Sequence, residues 1–428
     1  MTQTVITEGR WVEYRPVNSI ADSGPIQFEI PGAGDEFTDL SQTQLYVRAK
    51  IVLANGGNLT NEAKVGPVNQ FLHSLFAQVD VTLNGKLVTD SRNCYPYRAY
   101  FENLLNYGAD AKQSQLTSVL YYRDTPGRMN VADPNPTDEG AAVNEGLRKR
   151  ASFTSNSHEI DLVGPINCDL FFQDRYLVSA VDLQVNLHRS KNQFCLMSSQ
   201  PNQNYRVVIT ECALFMRKVK LLPSYQLSIE NQLSKATAKY PVRRTEVKAF
   251  TIPTGSLTNS QDNIFLGQVP KRVTVALLDN AAFQGSYERN PFNFEHKGLN
   301  FLALYKDGES VPHKPLTPNF QAERLHYIRA YYNLFGSTEK LGRDSGNEIT
   351  REDLLQGYTI FSFDLTPDLC SSASAGGGHF NIVKQGNLRL ELHFDNPLER
   401  PVVVLLYAEF ENLVEIHKNR SVTFDYTA

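Results

Sequence analysis

A chain of 428 residues exceeds the ~250–300 at which a single hydrophobic core stops growing, so two domains are expected before any pattern is read. With 41% hydrophobic residues, including 24 Phe and 20 Tyr, there is material for two cores, while a net charge of −4 gives no basic field to attract nucleic acid. No apolar run reaches the ~18–20 residues of a membrane span, and residues 1–9 are too polar for a signal peptide, so synthesis inside the cell without secretion is expected.

Taken in chain order, residues 1–24 are polar apart from Trp11, Tyr14 and Val17, and are expected to form an arm outside the first core. Val79, Val81 and Leu83 then alternate with polar residues and run into Asn84-Gly85. Both of those residues tolerate the positive φ of a type I′ turn, which predicts a hairpin with Val81 facing Val88. From Tyr97, apolar positions recur at Tyr100, Phe101, Leu104 and Leu105, one face of a short helix, with Pro96 in its first turn and Gly108 at its end. Residues 124–156 are polar and hold Pro126-Gly127, Pro134, Pro136 and the run Arg148-Lys149-Arg150. Beside Asp138 and Glu139, that run reads as solvated charge rather than a nuclear address or a phosphate contact.

Val181, Leu183, Val185 and Leu187 alternate as a strand with one wet face, and residues 222–242, flanked by Pro223 and Pro241, read as a linker. A helix over 324–335 is predicted as the counterpart of the first, followed by apolar-poor stretches at 336–346 and 371–378. Leu388, Leu390, Leu392 and Phe394 form a second alternating strand, and residues 402–407 are apolar on both faces, as in an interior strand. Many short strands, Gly and Pro turns and few helices point to antiparallel sandwiches.

The chain also repeats itself in order. Phe28-Glu29-Ile30-Pro31 is echoed by Phe250-Thr251-Ile252-Pro253, Asn84-Gly85 by Asp307-Gly308, Arg98-Ala99-Tyr100 by Arg329-Ala330-Tyr331, and the strand from Leu183 to His188 by that from Leu388 to His393. Each match is weak alone, but together they indicate a tandem duplication into paired domains. The expected division is an arm at 1–24, a first unit at 25–222, a linker at 223–242 and a second unit at 243–428.

A search for chemistry yields no catalytic, cofactor-binding or metal-binding residue, and the chain does not read as an enzyme. Cys94, Cys168, Cys195, Cys212 and Cys370 are odd in number and contain no Cys-x-x-Cys pair, which suits reduced thiols. Gly85-Lys86 lacks the leading glycine and following Ser or Thr of a phosphate loop, and Gly376-Gly377-Gly378 has no lysine after it. His188 and His393 end equivalent strands, which invites comparison with a cupin metal site. Each is alone on its strand, however, and reads as a rim histidine. Glu352-Asp353 reads as a solvated helix start, and no Gly-x-Ser-x-Gly elbow occurs.

Residues 25–122 carry the strings Phe28-Glu29-Ile30-Pro31-Gly32-Ala33-Gly34-Asp35-Glu36, Val65-Gly66-Pro67-Val68-Asn69, His73-Ser74-Leu75-Phe76, Leu83-Asn84-Gly85 and Tyr95-Pro96-Tyr97-Arg98-Ala99-Tyr100. These resemble the double jelly-roll major capsid proteins of double-stranded DNA viruses, in particular those of Polinton (Maverick) elements and adintoviruses. The resemblance implies an all-β fold of two tandem jelly-roll β-sandwiches with short helices and long loops, and it transfers no site residue and no cofactor. It also implies homotrimeric, pseudo-hexameric capsomers of an icosahedral virion capsid, assembled inside the host cell. The partners would be the chain itself, neighbouring capsomers, penton and minor capsid proteins, with no strong direct binding to nucleic acid and with internal membrane contact left open. Trp11 would then anchor the arm under a neighbour, on a minor protein or at a membrane surface, or else cap the base of its own barrel. The rival from another class is a two-domain β-sandwich binding module, lectin-like or adhesive, which would ordinarily bring a secretory signal and disulfides.

Overall fold

The computed structural model describes residues 3–32, 34–89, 92–138, 140–200, 203–265, 267–369, 381 and 384–424. The first half contributes β1 (Ile6–Tyr14), β2 (Ile26–Ile30), β3 (Glu36–Leu53), β4 (Phe76–Leu83), β5 (Lys86–Leu87), β6 (Ile160–Gly164), β7 (Leu183–Arg189) and β8 (Tyr205–Leu221). The second half contributes β9 (Ala238–Ile252), β10 (Thr258–Gln261), β11 (Arg272–Asp279), β12 (Leu299–Lys306), β13 (Glu309–Leu316), β14 (Ile360–Asp364), β15 (Leu388–Phe394) and β16 (Val402–Ile416). Short pieces Val65–Pro67 and Leu196–Ser198 pair with each other, and Val422–Phe424 adds to the edge of β16.

The sheets are β1-β8-β3-β6 with β2-β7-β4-β5 in the first half, and β9-β16-β11-β14 with β10-β15-β12-β13 in the second. Raising every strand number by eight converts one half into the other. Each half is an eight-stranded jelly roll, so the fold is all-β and double. Four helices matter below: α1 (Tyr95–Asn106), α2 (Glu145–Thr154), α3 (Pro223–Leu233) and α4 (Ile328–Ser337).

Period-two patterning places the side chains as expected. In β15, Leu388, Leu390, Leu392 and Phe394 are buried and the residues between them are half-exposed. β16 lies between β9 and β11 and is buried continuously from Val402 to Phe410. Val402, Val404 and Leu406 enter the core of their own barrel, whereas Val403, Leu405 and Tyr407 join the cluster of the first half. That second cover is what allows an apolar run on both faces.

Of the four sequence echoes, three fall on equivalent elements: the β4–β5 and β12–β13 turns, α1 and α4, and β7 and β15. The fourth does not. Phe28 lies in β2, but Phe250 lies near the end of β9, the counterpart of β1. What recurs there is a strand end closed by proline, not a duplicated position.

The stretch read as an arm contributes a strand: Ile6–Tyr14 pairs with β8, from Ile6 opposite Leu221 to Tyr14 opposite Leu214. Its polar composition follows from its edge position, where both faces are largely exposed. The stretch read as a linker holds α3, and its last residues, from Ala238, already belong to β9. The glycine-rich 371–378 stretch, Cys370 and Glu139 lie outside the described residues.

The predicted hairpin is present, with Asn84 at φ 45° and Gly85 at φ 77°, and the Val88 amide donates to the Val81 carbonyl at 2.9 Å. A Cβ at Gly85 would meet nothing within 4 Å, so any cost of substitution there is backbone conformation alone. Gly85→Val is expected to destabilise by about 1–2 kcal/mol and Gly85→Asn by clearly less. Urea midpoints of the two variants give the comparison, and equal midpoints would contradict it.

Candidate functional site at the junction of the two halves

The helical periodicity of α1 specifies an apolar face; the tertiary structure supplies what covers it. Tyr97 stacks on Phe283 with ring centroids 5.6 Å apart, and Tyr100 on Phe292 at 4.3 Å. Phe101 stacks on Phe294 at 5.4 Å and tilts against Tyr407 at 5.3 Å. All four covering rings come from the second half. Ala276, Leu278, Val403 and Leu405, on the outer face of β9-β16-β11-β14, belong to the same buried cluster as α1. The two barrels are therefore joined by a continuous apolar seam, in addition to the chain between them. Aromatic pairs of this kind add about 0.5–1.5 kcal/mol each beyond their area.

Charged groups sit inside this seam. The Glu102 carboxylate on α1 accepts from Arg243 of β9 at 2.7 Å, and the Tyr407 hydroxyl lies 2.9 Å from Glu102 Oε1 and 3.0 Å from Glu409 Oε1. Its single hydrogen serves one carboxylate at a time. Glu409 also accepts from Arg272 at 2.5 Å and lies 3.6 Å from Arg243. Burial by itself would raise the Glu409 carboxyl, but the two arginines outweigh it and hold the group down at about 2. Nearby, Arg98 donates to Asp169 at 2.5 Å, and the same carboxylate oxygen accepts the Thr245 amide at 3.0 Å. Two arginines against two glutamates, with Arg98 against Asp169, make a charge-balanced and directional lock. Of these ion pairs Glu102–Arg243 crosses between the halves, together with the Tyr407–Glu102 and Thr245–Asp169 hydrogen bonds, so sliding the halves would strand the buried Glu102 carboxylate.

Arg148-Lys149-Arg150 is not a uniformly solvated run: Arg148 is exposed beside Glu145, but Arg150 is fully buried. Its guanidinium donates to Asp124 at 2.6 Å, to the Pro67 carbonyl at 2.8 Å and to the Tyr122 carbonyl. The reason is that α2 packs along the Val65–Pro67 strand and turns every third or fourth residue inward. Asp353 is likewise buried rather than solvated. It accepts the Thr350 amide at 2.8 Å and pairs with Arg123, whose guanidinium lies 4.6 Å from the Tyr358 ring centre.

His188 and His393 lie partly exposed next to carboxylates. His188 Nε2 is 3.0 Å from Asp80, and His393 Nε2 is 2.9 Å from Glu391 while its ring stacks on Phe301. Cys168, Cys195 and Cys212 are buried free thiols, pushed up to about 12 by burial, and Cys94 is buried as well. Among the described residues, no group of three or more His, Cys, Asp or Glu is placed to hold a metal ion, and no helix is long and apolar enough to cross a membrane. The seam is not legible in the sequence because its partners lie far apart; the one signal is an aromatic helix followed much later by the clustered Phe283, Phe292 and Phe294.

No family model matches the chain. An uncharacterized protein of Caenorhabditis elegans is 24% identical over 442 residues, spanning 99% of each chain. Among solved structures, a chain of the Sputnik virophage is similar with a TM-score of 0.63 and 14% identity, over 99% of this chain and 89% of that one. The faustovirus major capsid protein gives 0.57 and 11% over 96% and 91%, and the mavirus major capsid protein 0.52 and 14% over 97% and 90%. At such identities the likeness is one of fold: the chain shares the double jelly roll of viral major capsid proteins over nearly its whole length.

Proposed function

We propose that the chain is a structural, non-catalytic major capsid protein whose homotrimers form pseudo-hexameric capsomers of an icosahedral shell around double-stranded DNA. The observation that carries this reading is the pair of jelly rolls with one strand order, locked together by a buried aromatic and ionic seam. A protein that needed two independent binding modules would gain nothing from such a lock. A shell subunit gains a fixed angle between barrels, so that three chains present six like barrels and a near-hexagonal outline from threefold symmetry. Residues 6–221 and 238–424 are the two units in this reading, with α3 between them. Its partners are further copies, neighbouring capsomers, and penton and minor capsid proteins, in the virion capsid of a virus or Polinton-like element. Genome charge is offset by other components, since counterion release needs clustered Lys and Arg.

At micromolar concentration the purified chain, of 48.2 kDa, should scatter light as a species of about 145 kDa, and electron micrographs should show hexagonal outlines. A stable monomer, or tight salt-sensitive binding to duplex DNA, would contradict this reading.

A further inference from the structure

The seam has two sides: α1 of the first half is the knob, and the seat is the outer face of β9-β16-β11-β14 at Tyr407 together with Phe283, Phe292 and Phe294 of the β11–β12 connection. Because the halves share one strand order, the chain carries a second knob and a second seat. The second knob is α4, which like α1 follows the fifth strand of its half and precedes the sixth. Matching Arg98-Ala99-Tyr100 to Arg329-Ala330-Tyr331 sets Ile328 at the position of Tyr97 and Tyr332 at that of Phe101. Tyr97 and Phe101 are 1% and 0% exposed, but Ile328 and Tyr332 are 42% and 63% exposed. Ala330 and Leu334 are buried on the opposite face, Ala330 in the core of the second barrel and Leu334 in the cluster of the seam, so the exposed pair is an uncovered face of an ordered helix.

The second seat is the outer face of β1-β8-β3-β6. In the second half the corresponding face is buried through Val403, Leu405 and Tyr407. In the first half it presents Trp11, 50% exposed and opposite Arg217, beside the partly exposed Phe215 and Tyr46, whose rings meet edge-on at 6.2 Å. The two uncovered faces lie on different halves and both remain exposed within one chain.

We infer that they meet between copies: α4 of one chain seats on the β1-β8-β3 face of the next, head to tail, as α1 seats on the second half within a chain. This inference rests on the proposed homotrimer and names the surface that builds it. The occupant is a second copy because the internal seam already provides the template, an aromatic helix laid against the equivalent sheet of the other half. A contact between two different faces is heterologous and propagates from chain to chain, and in the proposed homotrimer it closes after three.

The test uses Trp11→Asp and Tyr332→Asp in the full chain, with circular dichroism melts to show that each variant is folded. If the inference holds, wild type is a trimer and each variant alone is a monomer of 48.2 kDa. Mixed and concentrated together, they recover a species of about 96 kDa, since one intact α4 can still meet one intact β1 face. Trimers in both variants would overturn the inferred surface and leave the trimer reading standing; a monomeric wild type would overturn both. Monomeric variants that do not complement each other would exclude the head-to-tail arrangement. If an aspartate variant fails to fold, Trp11→Ala and Tyr332→Ala should each raise the concentration needed for trimer formation by about tenfold or more, and no change would overturn the inference.

Discussion

Glu409→Ala should lower the stability of the chain by about 3–5 kcal/mol, because it leaves Arg272 buried and Arg243 half-buried without a counter-charge between them. Glu102 still faces Arg243, so the loss falls mainly on Arg272, whose remaining hydrogen bond among the described residues is to the Ser337 carbonyl at 3.4 Å. The isosteric Glu409→Gln should cost less, since the amide oxygen can still accept from Arg272. The pH dependence has a definite sign. Glu409 is held below its ordinary 4.5, at about 2, so its contribution is present above pH 4.5 and is lost as pH falls through about 2. The gap in stability between wild type and Glu409→Gln should therefore narrow over that window. Urea unfolding at neutral pH and at successively lower pH measures it. A Glu409→Ala variant within 1 kcal/mol of wild type at neutral pH would show that the seam does not depend on this carboxylate.

Arg150→Ala should have a comparable effect, about 3–5 kcal/mol, while Arg148→Ala and Lys149→Ala in the same run should stay within about 0.5 kcal/mol. The difference lies in environment rather than residue type. Arg150 and Asp124 are both fully buried, and truncation strands that carboxylate together with the Pro67 and Tyr122 carbonyls. Arg148 pairs with Glu145 three residues away on an exposed helix face, an arrangement that contributes little. Thermal melts of the three single variants make the comparison. Equal effects across the run would mean that Arg150 is not a core residue. Asp124 also bonds the Asn144 side chain, the N-cap of α2, so a damaged Arg150 site should loosen that helix first.

Local periodicity determined a large part of this protein. Alternation placed β7 and β15, the Asn-Gly and Asp-Gly pairs fixed two hairpins, and the spacing from Tyr97 to Leu105 gave the apolar face of α1. The continuous apolar start of β16 announced a strand covered on both sides. These are properties of an element and its own side-chain directions, and they can be read wherever a face is buried, whatever buries it.

What covers a face is decided by residues far away in the chain. Phe283, Phe292, Phe294 and Tyr407 lie far along the chain from α1, and nothing in either segment alone names the other. Charge is ambiguous for the same reason: Arg148 and Arg150 look alike in sequence, but only Arg150 has Asp124 and two carbonyls folded around it. β1 was hidden because an edge strand exposed on both faces has no alternation to show, so only its pairing with β8 identifies it. The duplication was legible in outline, yet one of its four strings fell on non-equivalent strands, because strand ends reuse the same residues for the same backbone reason. Equivalence between the halves rests on strand order, and strand order is set by which distant segments pair.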